Sequence, residues 1–309
     1  MRTAVLTSSR SDYGIYLPLL KKLKADKYFD LHLIAFGTHL SSEHGYTLDQ
    51  ITEDGFKVDY KLITAPTGDS PEDISESIGH TIVQFSSFWE QHKDDFDLVF
   101  CLGDRYEMFA AVSASIPFTI RFAHLHGGES TPGAIDNKFR HSLTVMSDYH
   151  FVSIDHYADR VKQITEQGQN IHTVGALSLD NLKEIKILSV HEFQKKHGVD
   201  MSNPTVLVTF HPETVSYDKN SHFADKLIAV MKDLKEQIII TMPNADTMGN
   251  IVREKLKNFI DTNKTRVFGF ESLGTSGYFS CMKHCSFLLG NTSSGIIEAA
   301  SFAKYVINL

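Results

Sequence analysis

No apolar run in this chain of 309 residues reaches the ~18 residues that a membrane-spanning helix needs. The apolar part of the opening MRTAVLTSSR is too short for a signal peptide and reads instead as a first buried strand. Lysine and arginine never form a run and the formal net charge is −8, which argues against a nucleic acid or an anionic membrane as main partner. Cysteine is scarce: Cys101, Cys281 and Cys285 give neither an even disulfide framework nor a metal-binding spacing, so a reducing, cytoplasmic setting is expected. The first strand is not followed by G-x-G-x-x-G, Gly14 standing alone, so NAD is not expected at that turn. Sequence repeats and low-complexity stretches are missing too. With 42% apolar and 22% charged residues, what remains is the composition of an ordinary soluble globular protein.

The length exceeds what one core usually fills, so two domains are expected, 1–174 and 175–309. Short apolar runs alternate with helical periodicity along both. In the first half, 3–7, 31–36, 57–63, 98–102, 118–123, 149–153 and 171–174 read as strands, and the continuous apolar run at 98–102 is that of a parallel strand buried on both faces. Ser70-Pro71-Glu72-Asp73 opens a long helix running to about His92, with proline where its missing N–H costs nothing. In the second half, strands at 205–209, 237–242, 265–268, 285–289 and 304–308 alternate with helices at 221–235, 246–261, 272–283 and 293–302. Such alternation implies an α/β protein with doubly wound parallel sheets.

Ligands of open α/β sheets sit outside the carboxyl ends of the strands, and the loops there carry most of the charge. In the first half Gly103-Asp104-Arg105 follows one strand, and His124-Leu125-His126-Gly127-Gly128-Glu129 follows the next in a loop that ends at Asp136. One crevice would then hold Asp104, Arg105, His126, Glu129 and Asp136. Mutual repulsion among the three acids would raise at least one pKa toward the range useful for proton transfer. His124 and His126 alternate on an extended segment and would face one side, but His39, Asp136 and His141 offer no third ligand at a standard spacing, so no metal is assigned. Arg10 and Arg105 each follow a strand end, where a guanidinium suits phosphate oxygens; the alternative is a surface ion pair.

In the second half the chemistry concentrates in Gly290-Asn291-Thr292-Ser293-Ser294-Gly295, a strand end, a polar turn and a helix start. Thr292, Ser293 and Ser294 would present hydroxyls and backbone N–H groups to a phosphate, or serve only as an ordinary cap. Glu298, one turn further on, either reaches ribose hydroxyls or is solvated. His211, in His211-Pro212-Glu213, is a diphosphate contact, a proton carrier or a structural loop histidine. Asn244 ends the following strand as a helix cap or a ligand contact.

Taken together, Ser8-Ser9-Arg10-Ser11-Asp12-Tyr13-Gly14, Leu102-Gly103-Asp104-Arg105-Tyr106-Glu107, His124 to Glu129 with Ala134-Ile135-Asp136 and Arg140-His141-Ser142, Phe210-His211-Pro212-Glu213-Thr214 and Gly290 to Gly295 resemble the UDP-N-acetylglucosamine 2-epimerases, most closely the hydrolysing branch. The resemblance runs from Arg10 to the end of the chain. It implies two Rossmann-like domains of the glycosyltransferase-B type facing across a cleft, UDP held mainly by the second, and a homodimer through first-domain helices. It places phosphate on Thr292, Ser293 and Ser294, ribose on Glu298, diphosphate on Arg10 and His211, and the catalytic acids on Asp104, Glu129 and Asp136, although some members carry an acid where this chain has His126. The implied reaction is anti elimination of UDP to a 2-acetamidoglucal, then addition of water with inversion at C2, and it needs no cofactor. The substrate so implied is UDP-N-acetylglucosamine, giving N-acetylmannosamine for sialic acid or a related sugar, or alternatively a UDP-2,4-diacetamido-2,4,6-trideoxy sugar as in legionaminic acid pathways. A glycosyltransferase of the same fold, or a non-catalytic sugar-nucleotide sensor, are the readings from other classes. Family members continue past the strand matching 305–309 with a Gly-x-Arg-Gln-x-Gly-Arg segment and a final helix, so a second domain shortened at its C-terminal end, and lower activity than in an extended form, are expected.

Overall fold

The structure, a computed structural model, describes residues 1–42, 46–243 and 247–309. The chain divides into two compact units, Met1–Asn181 and Leu182–Leu309. Among the described residues of the first, seven strands form one parallel sheet: β1 (Arg2–Thr7), β2 (Asp30–Ala35), β3 (Tyr60–Lys61), β4 (Leu98–Leu102), β5 (Phe122–Leu125), β6 (Tyr149–Val152) and β7 (Ile171–Thr173). Their order is β3-β2-β1-β4-β5-β6-β7, so the winding reverses between β1 and β4. A reversal of this kind leaves a crevice at the carboxyl ends of the two strands. The helices are α1 (Arg10–Ala25), α2 (Leu48–Glu53), α3 (Pro71–His92), α4 (Tyr106–Ser113), α5 (Asp136–Val145), α6 (Asp155–Thr165) and α7 (Leu177–Glu184).

Helices cover both faces because the strands are apolar on both. Along β1, Ala4 and Leu6 enter one core with Phe85, Trp89 and Phe122, whereas Val5 enters the other with Tyr16, Leu20 and Phe100. β4 does the same, Val99 and Cys101 pointing one way and Phe100 the other. Burial pushes the Cys101 thiol up to about 12, which makes it a packing residue rather than a nucleophile. α3 begins as its sequence requires: Ser70 Oγ accepts from the Asp73 N–H at 3.1 Å, the Asp73 carboxylate accepts from the Ser70 N–H at 3.0 Å, and Pro71 stands at the first helical position.

Two expected strands are displaced or shortened. The run at 118–123 is not one strand: Ile116–Phe118 form a 3-10 turn, Thr119 takes the left-handed conformation at φ 55°, and pairing starts only at Phe122. Pro117 has no N–H to give a ladder, which starts that turn and pushes the strand on. The run at 57–63 pairs only over Tyr60–Lys61, at the edge of the sheet. Asn181 Nδ2 donates to Gly14 O at 2.8 Å, which ties the first turns of α7 to the first unit, beyond the junction expected at Gly175.

The second unit has α8 (Val190–His197), β8 (Thr205–Thr209), α9 (Asn220–Asp233), β9 (Gln237–Thr241), α10 (Asn250–Thr262), β10 (Val267–Phe270), α11 (Gly274–His284), β11 (Phe287–Gly290), α12 (Ser294–Ile297) and β12 (Tyr305–Asn308). Its described strands form a five-stranded parallel sheet in the order β10-β9-β8-β11-β12, reversing between β8 and β11. Val206 and Val208 serve one core and Leu207 the other. The helix expected over 293–302 stops after a single turn. Ala299–Phe302 continue as 3-10, and Ala303, left-handed at φ 52°, turns the chain into β12.

Candidate active site

In the first unit the carboxyl ends of β4 and β5 carry a connected charge cluster. Gly103, left-handed at φ 77°, turns the chain out of β4 and leaves Asp104 half-buried beside the guanidinium of Arg140, to which its carboxylate is ion-paired. Arg140 lies on α5, one turn after Asp136, which opens that helix. The Arg140 side chain is buried at 6% exposure, donates from Nη1 to the His126 carbonyl at 2.7 Å and lies 3.6 Å from the Glu129 carboxylate. Glu129 in turn accepts from His126 Nδ1 at 2.7 Å and from the Ser153 hydroxyl at 3.0 Å. Asp104, His126 and Glu129 are therefore brought into one network by an arginine.

The loop needs its two glycines for different reasons. A Cβ on Gly128, at φ 77°, would stand 2.5 Å from the Tyr157 carbonyl on α6, and one on Gly127 would stand 3.0 Å from His124 Nδ1. His126 itself is left-handed at φ 62°. That reversal breaks the alternation expected for His124 and His126, and the two rings do not share a face toward a metal. His124 instead lies fully buried, donating from Nε2 to the Gly103 carbonyl at 2.9 Å with Nδ1 3.2 Å from the Thr144 hydroxyl. Burial pushes its pKa down to about 3, so it is a neutral strut for the Gly103–Asp104 turn. No group of three or more His, Cys, Asp or Glu among the described residues converges as metal ligands would.

Repulsion among the acids was expected to raise a pKa, and Glu129 moves the other way. Burial alone would raise it, but the hydrogen bond from His126, the charges of His126 and Arg140 and the Ser153 hydroxyl together hold it below the usual carboxylate value. Arg105 is committed locally: its guanidinium grips fully buried Glu107 through Nε at 3.1 Å and Nη2 at 2.9 Å, which supplies the charge that a buried carboxylate requires. Arg10 is the first residue of α1 and half-buried, directly beyond β1.

In the second unit, β8 and β11 end side by side, and Asn291 joins their loops. Its Oδ1 accepts from the His211 N–H at 2.7 Å and its Nδ2 donates to the His211 carbonyl at 2.9 Å. Gly290, at φ 146°, pairs with Thr209 so closely that a Cβ would sit 1.8 Å from the Thr209 carbonyl oxygen. His211 and the hydroxyl turn are thus held together, with Thr292, Ser293 and Ser294 partly or fully exposed at its lip. Glu298 is not a solvated helix residue: it is 5% exposed, and its Oε2 is buried with no hydrogen-bond partner among the described residues. Asn244 lies outside the described residues.

The family model for UDP-N-acetylglucosamine 2-epimerase matches residues 21–309. The chain belongs to the UDP-N-acetylglucosamine 2-epimerase family. A UDP-N,N'-diacetylbacillosamine 2-epimerase (hydrolyzing) of Legionella pneumophila is 32% identical over 304 residues, 98% of this chain and 79% of that protein. A GDP/UDP-N,N'-diacetylbacillosamine 2-epimerase (hydrolyzing) of Campylobacter jejuni is 32% identical over 309 residues, 100% of this chain and 80% of that protein. The crystal structure of UDP-GlcNAc 2-epimerase from Neisseria meningitidis bound to UDP-GlcNAc superposes with TM-score 0.81 at 18% identity, covering 100% of this chain and 82% of that one, and shows that the two share a fold.

Within this member of the epimerase family, Arg140 stands in one of the motifs quoted above, but reading the motifs assigned it no role of its own, and the structure puts it at the centre of the charge cluster. The signal was present: Asp136 and Arg140 stand four apart, on one face of a helix whose other charged residue, Lys138, is exposed. A second miss is Asp12. Buried at 4% exposure, it accepts from the Thr7 hydroxyl at 2.7 Å, the Ser8 N–H at 2.7 Å and the Ser8 hydroxyl at 2.8 Å, while His39 Nε2 donates to Thr7 Oγ1 at 2.8 Å. Burial opposes ionisation of Asp12, yet His39 and these donors hold its pKa below the ordinary value. The charge fixes the loop from which Arg10 departs.

Proposed function

We infer that this family member is a hydrolysing 2-epimerase of a UDP-linked 2-acetamido sugar, releasing UDP and the free sugar inverted at C2. One observation carries the reading: Asp104, His126 and Glu129 converge on Arg140 at the carboxyl ends of adjacent strands. Acid–base groups held in a half-buried network are what an elimination needs, since a weakly acidic C2 proton must leave one face and another must arrive on the opposite face. In the second unit, Thr292, Ser293 and Ser294 with His211 would receive the diphosphate and Glu298 the ribose hydroxyls; in the first unit, Arg10 just beyond β1 is the candidate phosphate contact. Asp136 and Arg105 complete the set, Arg105 acting through the Glu107 clamp.

The substrate favoured is UDP-N,N'-diacetylbacillosamine, because two relatives at 32% identity carry that name. UDP-N-acetylglucosamine, giving N-acetylmannosamine for a sialic-type sugar, is the second reading, supported by the description of the matching family. A cytoplasmic homodimer is part of the same proposal. The test is incubation with each UDP-sugar in D2O. UDP release with one deuterium at C2 of the inverted free sugar is expected, faster for the diacetamido substrate; release with C2 unlabelled and uninverted would mark a glycosyltransferase-type hydrolysis and remove the epimerase reading.

A further inference from the structure

His126 combines three features that a merely structural histidine does not need. Its backbone is left-handed at φ 62°, a conformation that costs a non-glycine residue of this kind about 1 kcal/mol or more. It is held there from both sides, the His126 N–H donating to Phe151 O at 3.0 Å and its carbonyl accepting from Arg140 Nη1 at 2.7 Å. Its Nε2 is buried, with no hydrogen-bond partner among the described residues. Nδ1 is committed to the Glu129 carboxylate at 2.7 Å, and Glu129 is anchored in turn by Ser153. An anionic acceptor fixes the proton on Nδ1 and leaves Nε2 as the lone-pair nitrogen. Of the neighbouring acids, Asp104 is already neutralised by Arg140.

We propose that His126 Nε2 is the base that takes the C2 proton of the sugar nucleotide, and that Glu129 is the positioning residue that sets its tautomer and direction. The inference rests on the 2-epimerase reading and assigns a role within it. As the C2–H bond breaks, its electron pair becomes the C1=C2 bond and the C1–O bond breaks with its pair on the diphosphate. His126 keeps the proton and returns it to solvent. In hydration a different acid supplies the C2 proton from the opposite face, and water supplies hydroxyl to C1 while returning its own proton to that acid. Facing His126 are Glu129 from its own loop, Arg140 from α5 and His124 from β5; next to these stand Asp104 from the β4 loop, paired with Arg140, His150 from β6, close enough to His124 to act on its charge, His141 from α5, which feels Arg140 and Arg160, and Arg160 from α6, whose Nη1 donates to Gly128 O at 2.9 Å.

The experiment compares pH profiles of kcat/KM for the wild type, His126→Gln, His126→Glu and Glu129→Gln, with UDP affinity measured for each. His126→Gln should lose turnover on the order of 10²-fold to 10⁴-fold while UDP affinity stays within about twofold. His126→Glu should regain part of that turnover with the acid limb moved down by about two pH units, the gap between the two side chains' ordinary values. Glu129→Gln should lower kcat while KM and UDP affinity stay within about twofold, because the amide no longer dictates which ring nitrogen of His126 carries the proton. A limb that stays in place in His126→Glu, a Glu129→Gln enzyme with unchanged kcat, or a His126→Gln enzyme that turns over normally overturns the assignment even where the wild type is active. Should the wild type release no UDP from either UDP-sugar, the 2-epimerase reading itself fails and takes this one with it.

Discussion

At the scale of single residues, the site depends on groups whose burial decides their protonation. His124 is the sharpest case: fully buried and neutral, with burial pushing its pKa down to about 3 against an unfolded value near 6.5. For a base with a depressed folded pKa, the stabilisation is complete above pH ~6.5, and it falls by about 1.4 kcal/mol per pH unit below that, as the unfolded chain takes up the proton the folded one refuses. His124→Gln should therefore reduce stability at pH 7 by roughly 1–3 kcal/mol, through the lost contact with Gly103 O. It should also flatten the decline between pH 6.5 and 4. Urea denaturation at several pH values measures both, and an unchanged slope in the variant would mean that His124 does not carry this linkage. Glu129 belongs to the opposite class, its carboxyl held low by His126 and Arg140, so its contribution is present at neutral pH and disappears only as acid protonates it.

At the scale of elements, the fold was legible where a run of side chains has one period and illegible where the backbone changes hand. β1, β4, β8 and β9 read directly from unbroken apolar residues, and α3 from Ser70-Pro71 and Asp73. β5 was misplaced because the turn that Pro117 starts ends in Thr119 at φ 55°, a reversal that the threonine side chain does not announce, and the same kind of reversal at His126 undid the expected pairing of His124 with His126. The acids were legible as loop residues at strand ends. Arg140 was visible as a motif residue, but its pairing with the acids was not, because it comes from the middle of a helix and meets them only through tertiary packing. Glycine shows the difference between a turn and a close approach. Gly103 is left-handed with open space around its missing Cβ, so Gly103→Ala should cost only about 1–2 kcal/mol. Gly290 would drive a Cβ to 1.8 Å from Thr209 O, in the middle of the β8–β11 pairing. Gly290→Ala should cost roughly 2–4 kcal/mol and weaken UDP binding as well, because the loops of His211 and the hydroxyl turn would be forced apart. Equal destabilisation by the two alanines in guanidinium melts would show that strain, not crowding, governs Gly290.

At the scale of the whole molecule, each unit closes its own cores: Phe85, Trp89 and Phe122, then Tyr16, Leu20 and Phe100 in the first, and Val206 and Ile240, then Leu207 and Met282 in the second. Assigning UDP mainly to the second unit therefore has a consequence separable from turnover. A ligand that binds only the folded form stabilises it by mass action, by about 2.7 kcal/mol at one hundred times its Kd, which is roughly a hundredfold slowing of exchange through opening. UDP alone should slow amide exchange in β8, β11 and the Asn291 turn by that order, with much smaller change in β4 and β5. Since the strand amides of β8 and β11 are already paired without ligand, added protection there reports the opening energy of the unit rather than a local contact. An increase confined to β4 and β5 would move the nucleotide to the first unit, and would leave buried Glu298 Oε2, which has no hydrogen-bond partner among the described residues, without the ribose proposed for it.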